Sequence, residues 1–203
     1  SNENFYGASP SIVPALQSAL IGRFRYPDPI GKQLKQRIAD KYSVLPGQII
    51  LGNGSHELLM QFAQVFASAN DEVLVSQYCF AVYPIASKAV GAQLVVVAAN
   101  NLQDAMPLGH DLDAMLEKIT TKTKLICFAN PNNPTGTWFS TEKLRSFLEK
   151  VPSHVLVVVD EAYIEYVTDS SVQTALTLLA SFPNLLVTRT FSKAYGLAGI
   201  RAG

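Results

Sequence analysis

No apolar stretch in this sequence reaches the ~18 residues that a membrane-spanning helix needs. Its apolar runs, such as Val155 to Val159, have the length of a strand. An excess of one charge is lacking as well. Sixteen Lys and Arg balance sixteen Asp and Glu, and no five basic residues stand in a row. Nothing therefore calls for nucleic acid or an anionic membrane surface as a partner. Cysteine is scarce: Cys79 and Cys127 stand far apart and outside any C-x-x-C pair. That spacing excludes a disulfide framework and a cysteine metal site, and reads as two buried thiols in a reducing compartment. The isolated histidines His56, His110 and His154 lack ligand spacing, so no metal is expected. The polar start Ser1-Asn2-Glu3-Asn4 is unlike a signal peptide, and a cytoplasmic protein is expected.

What is present is an ordinary globular composition, 203 residues with 48% hydrophobic, in which short apolar runs alternate with helical patterns. That alternation predicts an α/β domain, a mostly parallel sheet with helices on both faces. Strands are expected at Gln48–Leu51, Glu72–Ser76, Gln93–Val97, Leu125–Ala129, Val155–Val159 and Leu185–Thr188. Those at 155–159 and 185–188 are nearly unbroken in their apolarity, which fits burial on both faces. A helix is expected from about Glu57 with Ser55 as N-cap. Its apolar face would carry Leu58, Leu59, Phe62, Val65, Phe66 and Ala69. Further helices are expected at Tyr83–Val90, Asp111–Ile119 and from a Ser140 or Thr141 cap to about Lys150. Residues 1–30, rich in turn-forming residues from Asn2 to Pro29, read as an arm or loop, and 31–203 as the main domain. The chain stops at Ile200-Arg201-Ala202-Gly203 without a closing helix, and a fragment is the expectation.

Four strand ends carry groups with chemical potential, because ligands of open α/β sheets gather at the carboxyl ends of the strands. Gly52-Asn53-Gly54-Ser55-His56-Glu57 is a glycine turn opening a helix, a place where backbone N–H groups can bind phosphate; many such turns are only turns. Asn130-Pro131-Asn132-Asn133-Pro134-Thr135-Gly136 is a rigid turn with amide donors to spare. Asp160-Glu161-Ala162-Tyr163 follows a buried strand; a carboxylate there is either a helix cap or the partner of a cation. Thr190 to Arg201 delivers two hydroxyls, Lys193 and an arginine. Val157-Val158-Val159-Asp160-Glu161 also has the look of a nucleotide-hydrolase strand, yet the Gly-Lys-Ser/Thr loop of those proteins is absent. A nicotinamide-binding reading fails on the third glycine, since Glu57 stands in its place.

In this order the four segments resemble the fold-type I pyridoxal-phosphate-dependent enzymes, and within them the class I/II aminotransferases. The histidinol-phosphate aminotransferases are the nearest group. Asn2-Glu3-Asn4 with Tyr6-Gly7, and Arg25-Tyr26-Pro27-Asp28, extend the likeness over essentially the whole chain. The resemblance implies the large domain of that fold, a three-layer α/β/α arrangement, with the family's small C-terminal domain beyond Gly203. A piece ending there is expected to be inactive by itself. The implied reaction moves an amino group between L-histidinol phosphate and 2-oxoglutarate in histidine biosynthesis. An aromatic or other class I/II aminotransferase, a threonine-phosphate decarboxylase, and a non-catalytic aminotransferase-like regulator are the alternatives.

The same resemblance implies roles. Lys193 holds the cofactor aldehyde and moves the proton; Asp160 pairs with the ring nitrogen; Asn133 and Tyr163 bond the ring oxygen; Phe80 stacks on the ring. Gly54, Ser55, His56, Thr190, Ser192 and Arg201 surround the cofactor phosphate, for which a guanidinium suits by its permanent charge and paired N–H groups. Tyr26 reaches the cofactor phosphate of a second subunit, which makes a homodimer the expected assembly. Tyr6 and Asn133 lie on the substrate side. Two departures stand out: His56 replaces a small polar residue, and Phe5 replaces a proline of the arm.

Overall fold

The computed structural model describes residues 2–22 and 24–203. It divides into two compact units, one formed by 55–189 and one by 1–54 with 190–203.

The unit 55–189 is built on five parallel strands: β1 (Glu72–Ser76), β2 (Gln93–Val97), β3 (Thr123–Ala129), β4 (Leu156–Asp160) and β5 (Leu185–Thr188). Their order across the sheet is β2-β1-β3-β4-β5. The chain thus steps outward from β1 to β2, then returns past β1 and proceeds the other way. Parallel crossovers keep one hand, so a reversal of direction places the connecting helices on opposite faces. Helices α3 (Ser55–Phe66) and α4 (Val82–Ala89) cover one face; α5 (Leu112–Glu117) and α6 (Thr141–Leu148) cover the other. Alternating side chains of β4 serve both cores. Val158 packs with Leu59, Ala63, Tyr83 and Ala86, whereas Val157 and Val159 pack with Phe128, Leu144 and Phe147. Burying each such aliphatic side chain contributes about 1.5–3 kcal/mol.

Two helix starts are fixed by their caps. The Asp111 carboxylate accepts from the Ala114 N–H at 3.0 Å, and the Ser140 hydroxyl accepts from the Lys143 N–H at 3.2 Å. The ladder runs to Asp160 itself, which pairs in register with Ala129 on one side and Thr188 on the other. The carboxyl ends of β3, β4 and β5 are therefore level with one another. Among the described residues no helix is long and apolar enough to cross a membrane.

The other unit holds α1 (Ile12–Leu20) and α2 (Lys32–Tyr42). Three sequence expectations are corrected across the chain. Gln48–Leu51 is not a strand: a 3₁₀ turn occupies Pro46–Gln48, and the extended stretch after it forms no ladder until Gly52, which exchanges both backbone bonds with Gly203. Apolar residues give a strand only where a neighbouring strand supplies hydrogen bonds. The arm contains a nine-residue helix, α1, none of whose residues is buried. In α3 the buried face is narrower than expected, for Val65 and Phe66 are 71% and 42% exposed. The helix ends at Phe66, before Ala69 could extend the stripe. Helix α2 was not among the expected helices, although Leu34, Ile38 and Tyr42 recur at its period.

Candidate active site

The chain direction reverses between the carboxyl ends of β1 and β3, the place where α/β sheets open a crevice. There the loops that follow the two strands are tied together. The Asn132 side-chain amide donates to the Tyr78 carbonyl at 2.7 Å and to the Thr135 hydroxyl at 2.8 Å. Asn130 closes the same loop from below: its amide donates to the Phe139 carbonyl at 3.0 Å, and its oxygen accepts from the Phe139 N–H at 3.1 Å. Pro131 and Pro134 follow cis peptide bonds. Within this frame Asn133 is half-buried, while Asn130 and Asn132 are buried.

Asp160, 2% exposed, ends β4. Its Oδ1 accepts from the Ala162 N–H at 3.1 Å, and its Oδ2 accepts from the Tyr83 hydroxyl, also at 3.1 Å. Burial first, and then the Asp160 charge, push the Tyr83 phenol well above its ordinary pKa, so it keeps its proton and remains a donor. Phe80 meets Tyr83 edge-on, with ring centroids 5.8 Å apart. Tyr163 is half-buried just beyond the strand, its ring 6.3 Å from that of Tyr166. Glu161 serves a different purpose. Its buried carboxylate is held by the Thr174 hydroxyl at 2.6 Å, by the Ala175 N–H and by Arg189 at 3.3 Å; Arg189 also pairs with Glu165. Burial raises the Glu161 pKa, and these donors and the guanidinium pull it back. Both thiols are inert by the same physics. Desolvation pushes Cys79 up to about 11 and Cys127 higher still.

Within the other unit, Gly54, Thr190, Ser192 and Arg201 come together. The Thr190 hydroxyl donates to Ser192 Oγ at 3.0 Å, and the Ser192 N–H returns to Thr190 Oγ1 at 3.1 Å. Arg201 reaches Ser192 Oγ at 3.3 Å, and its other terminal nitrogen donates to the Asn53 carbonyl at 2.9 Å. Gly54 has φ +87, a conformation strained for any side chain, and a Cβ there would also displace the Arg201 tip, whose Nη2 would lie 2.4 Å away. Lys193 Nζ donates to the Asn2 carbonyl at 2.9 Å, and the Asn4 side chain donates to the Ala194 carbonyl at 3.0 Å. The start of the arm thus lies along the lysine loop. Tyr6 and Tyr26 stay outside this cluster with fully exposed rings. Ser55 and His56 open α3, with His56 exposed.

These groups have the chemistry that pyridoxal phosphate requires. Two hydroxyls and a guanidinium beside a positive-φ glycine suit a phosphate. A buried carboxylate oriented by two donors suits a protonated ring nitrogen. Tyr83, Asn132 and the Glu161–Arg189 pair were missed in the sequence. Only Tyr83 left a trace, as a polar-tipped ring three residues after Phe80.

A parallel sheet reversing between β1 and β3, with a buried aspartate ending β4, is the α/β fold of the fold-type I class. The family model for aminotransferase class I and II matches residues 1–203, and the chain belongs to that family. Histidinol-phosphate aminotransferase 2 of Hydrogenovibrio crunogenus is 54% identical over 203 residues, which is 100% of this chain and 53% of that protein. Histidinol-phosphate aminotransferase 1 of Idiomarina loihiensis is 50% identical over the same length, 54% of that protein. The chain spans about half the length of these curated relatives. Among solved structures, histidinol-phosphate aminotransferase from Sinorhizobium meliloti in complex with pyridoxal-5'-phosphate superposes with a TM-score of 0.91 at 32% identity, covering 100% of this chain and 53% of that one.

Proposed function

We propose that the protein is a pyridoxal-phosphate-dependent aminotransferase that moves an amino group between L-histidinol phosphate and 2-oxoglutarate in histidine biosynthesis. The observation that carries this reading is the 54% identity, over every residue of the chain, to a relative bearing that name. The cofactor, when bound, supplies an aldehyde for the amino group and a ring that takes up the electrons released at Cα. Lys193 is the amine that holds the aldehyde and carries the proton to and from Cα. Asp160 keeps the ring nitrogen protonated; Asn133 and Tyr163 bond the ring oxygen; Phe80 stacks on the ring. Gly54, Ser55, His56, Thr190, Ser192 and Arg201 bind the phosphate.

Tyr26 belongs to a second subunit's cofactor phosphate and Tyr6 to the substrate, so the working assembly is a homodimer. Their fully exposed rings support that assignment. Residues 1–30 form the arm and 31–203 the greater part of the cofactor-binding domain, in a cytoplasmic enzyme that takes an amino donor and a 2-oxo acid. The small domain of the family completes substrate recognition.

An absorbance spectrum of the full-length protein with pyridoxal phosphate, before and after L-histidinol phosphate, tests the reading. The wild type should show a lysine-bound cofactor band that the donor bleaches. Lys193→Ala should lose the band and at least about 10³-fold in turnover, the scale of removing a general base. A band indifferent to L-histidinol phosphate would move the assignment to another transaminase or a threonine-phosphate decarboxylase. Absence of any lysine-dependent band would overturn the cofactor assignment.

A further inference from the structure

The Tyr83 hydroxyl donates to the Asp160 carboxylate at 3.1 Å, and the roles derived so far leave this phenol unused. It sits in the first turn of α4, 2% exposed, within the core formed by Val73, Val75, Cys127 and Val158. A phenol buried among aliphatic side chains would cost stability if its hydroxyl found no partner. Here the hydroxyl finds Asp160 Oδ2 at 3.1 Å, while the Ala162 N–H occupies Oδ1. Each carboxylate oxygen therefore has a donor of its own, and the carboxylate plane is fixed. The edge-on contact with Phe80 holds the phenol from the other side. The remaining titratable groups acting on Tyr83 are Cys127 and Cys79, both kept as neutral thiols by burial.

We propose that Tyr83 is a positioning residue: its hydroxyl orients the Asp160 carboxylate and lowers its basicity, and so sets how far the proton shared with the cofactor ring nitrogen lies toward the ring. The part about the ring rests on the function proposed above; the part about Asp160 does not. A hydrogen bond to a carboxylate favours its charged form. Without the phenol, Asp160 becomes the stronger base and draws the shared proton toward itself. The ring then withdraws electrons less well. The burial that keeps the phenol protonated makes the donation constant over the working pH range.

The test has a cofactor-free and a loaded arm, both on the full-length protein. In the cofactor-free protein, the ¹³C resonance of the Asp160 carboxyl carbon is titrated in wild type, in Tyr83→Phe, and with 3,5-difluorotyrosine at position 83. The last keeps the hydroxyl and makes it a stronger donor. Asp160 should protonate at higher pH in Tyr83→Phe and at lower pH with the fluorinated residue. In the loaded protein the ¹⁵N resonance of the cofactor ring should move toward neutral pyridine in Tyr83→Phe and away from it with difluorotyrosine. Turnover in Tyr83→Phe should drop about 10-fold or more, as is usual when an outer-layer partner is lost, with KM within about twofold. An Asp160 titration that ignores both replacements overturns the proposal. Opposite shifts of Asp160 with no cofactor bound by the wild type would uphold the Tyr83–Asp160 linkage and fail the functional reading instead. Should Tyr83→Phe not fold, the difluorotyrosine protein alone decides.

Discussion

The two units of the chain spend their apolar residues differently. In 55–189 both faces of the sheet are covered, and Leu74, Ile126, Phe128, Val155, Val157 and Val158 are completely buried. In the arm and its surroundings Phe5, Tyr6, Ile21, Phe24 and Tyr26 are each more than three-quarters exposed. Among the described residues of that unit only Ala39, Gly54, Thr190 and Ser192 are buried. Order in the first region comes from packing on a ladder. In the second it comes from hydrogen bonds: Lys193 to Asn2, Asn4 to Ala194, and Arg201 to Asn53 and Ser192. Hydrogen bonds thus hold the Thr190–Arg201 segment within its own unit, whereas Asp160 rests on the dry core of the other.

Replacement of aromatic residues should expose this contrast most strongly. Phe128 contacts the rings of His110, Phe139 and Phe147 at centroid distances of 5.7, 5.5 and 5.7 Å. Phe128→Ala should cost about 3–5 kcal/mol in urea unfolding, because the surrounding core cannot collapse into the space. A loss below 1 kcal/mol, roughly the size of a surface change, would mean that the core of this region is not the close-packed one described.

Acid should weaken the packed region through His110. Its Nε2 bonds the Ala129 carbonyl at 3.0 Å, and burial pushes its pKa from 6.5 down to about 4. A depressed folded value means that the unfolded chain binds the proton first. Stability is therefore complete above the ordinary histidine value and is lost as pH falls from about 6.5 to about 4, by on the order of 3 kcal/mol. Glu161 works the other way, since its raised value costs stability as pH rises through it. The difference between wild type and His110→Gln isolates the histidine. Unfolding midpoints measured across that pH window should show a weaker acid slope in the variant, and equal slopes would refute the linkage.

The smallest effect belongs to the arm. Phe24→Ala, at a ring 77% exposed, should change the unfolding free energy of dilute protein by about 0.5 kcal/mol or less. A loss of several kcal/mol would show that Phe24 is packed in solution, against another subunit for instance, and would erase the contrast.

How much of this was legible beforehand follows the same division. Strands 72–76, 93–97 and 185–188 match the sequence reading to the residue, and of the two cap candidates Ser140 and Thr141 it is Ser140 that caps, because β-branched runs and capping side chains carry their meaning locally. The segments that hold Asp160, Asn133, Tyr163 and Lys193 stood out because each follows an apolar strand run, while the roles of those residues came from the family resemblance. Gln48–Leu51 misled because extended, apolar sequence does not reveal whether a partner strand exists. The exposure of Val65 and Phe66 could not be read because periodicity names a face without saying what covers it.

By itself, then, the sequence determined the parallel α/β architecture and the order of the four chemical segments, since strand period, caps and turn residues act between neighbours along the chain. Tertiary structure alone decided that Tyr83 would meet Asp160 across 77 positions, that Asn132 rather than Asn133 would tie the loops together, and that Arg189 would neutralise Glu161. Each of those contacts depends on strand order and register, which bring together groups that no local preference connects.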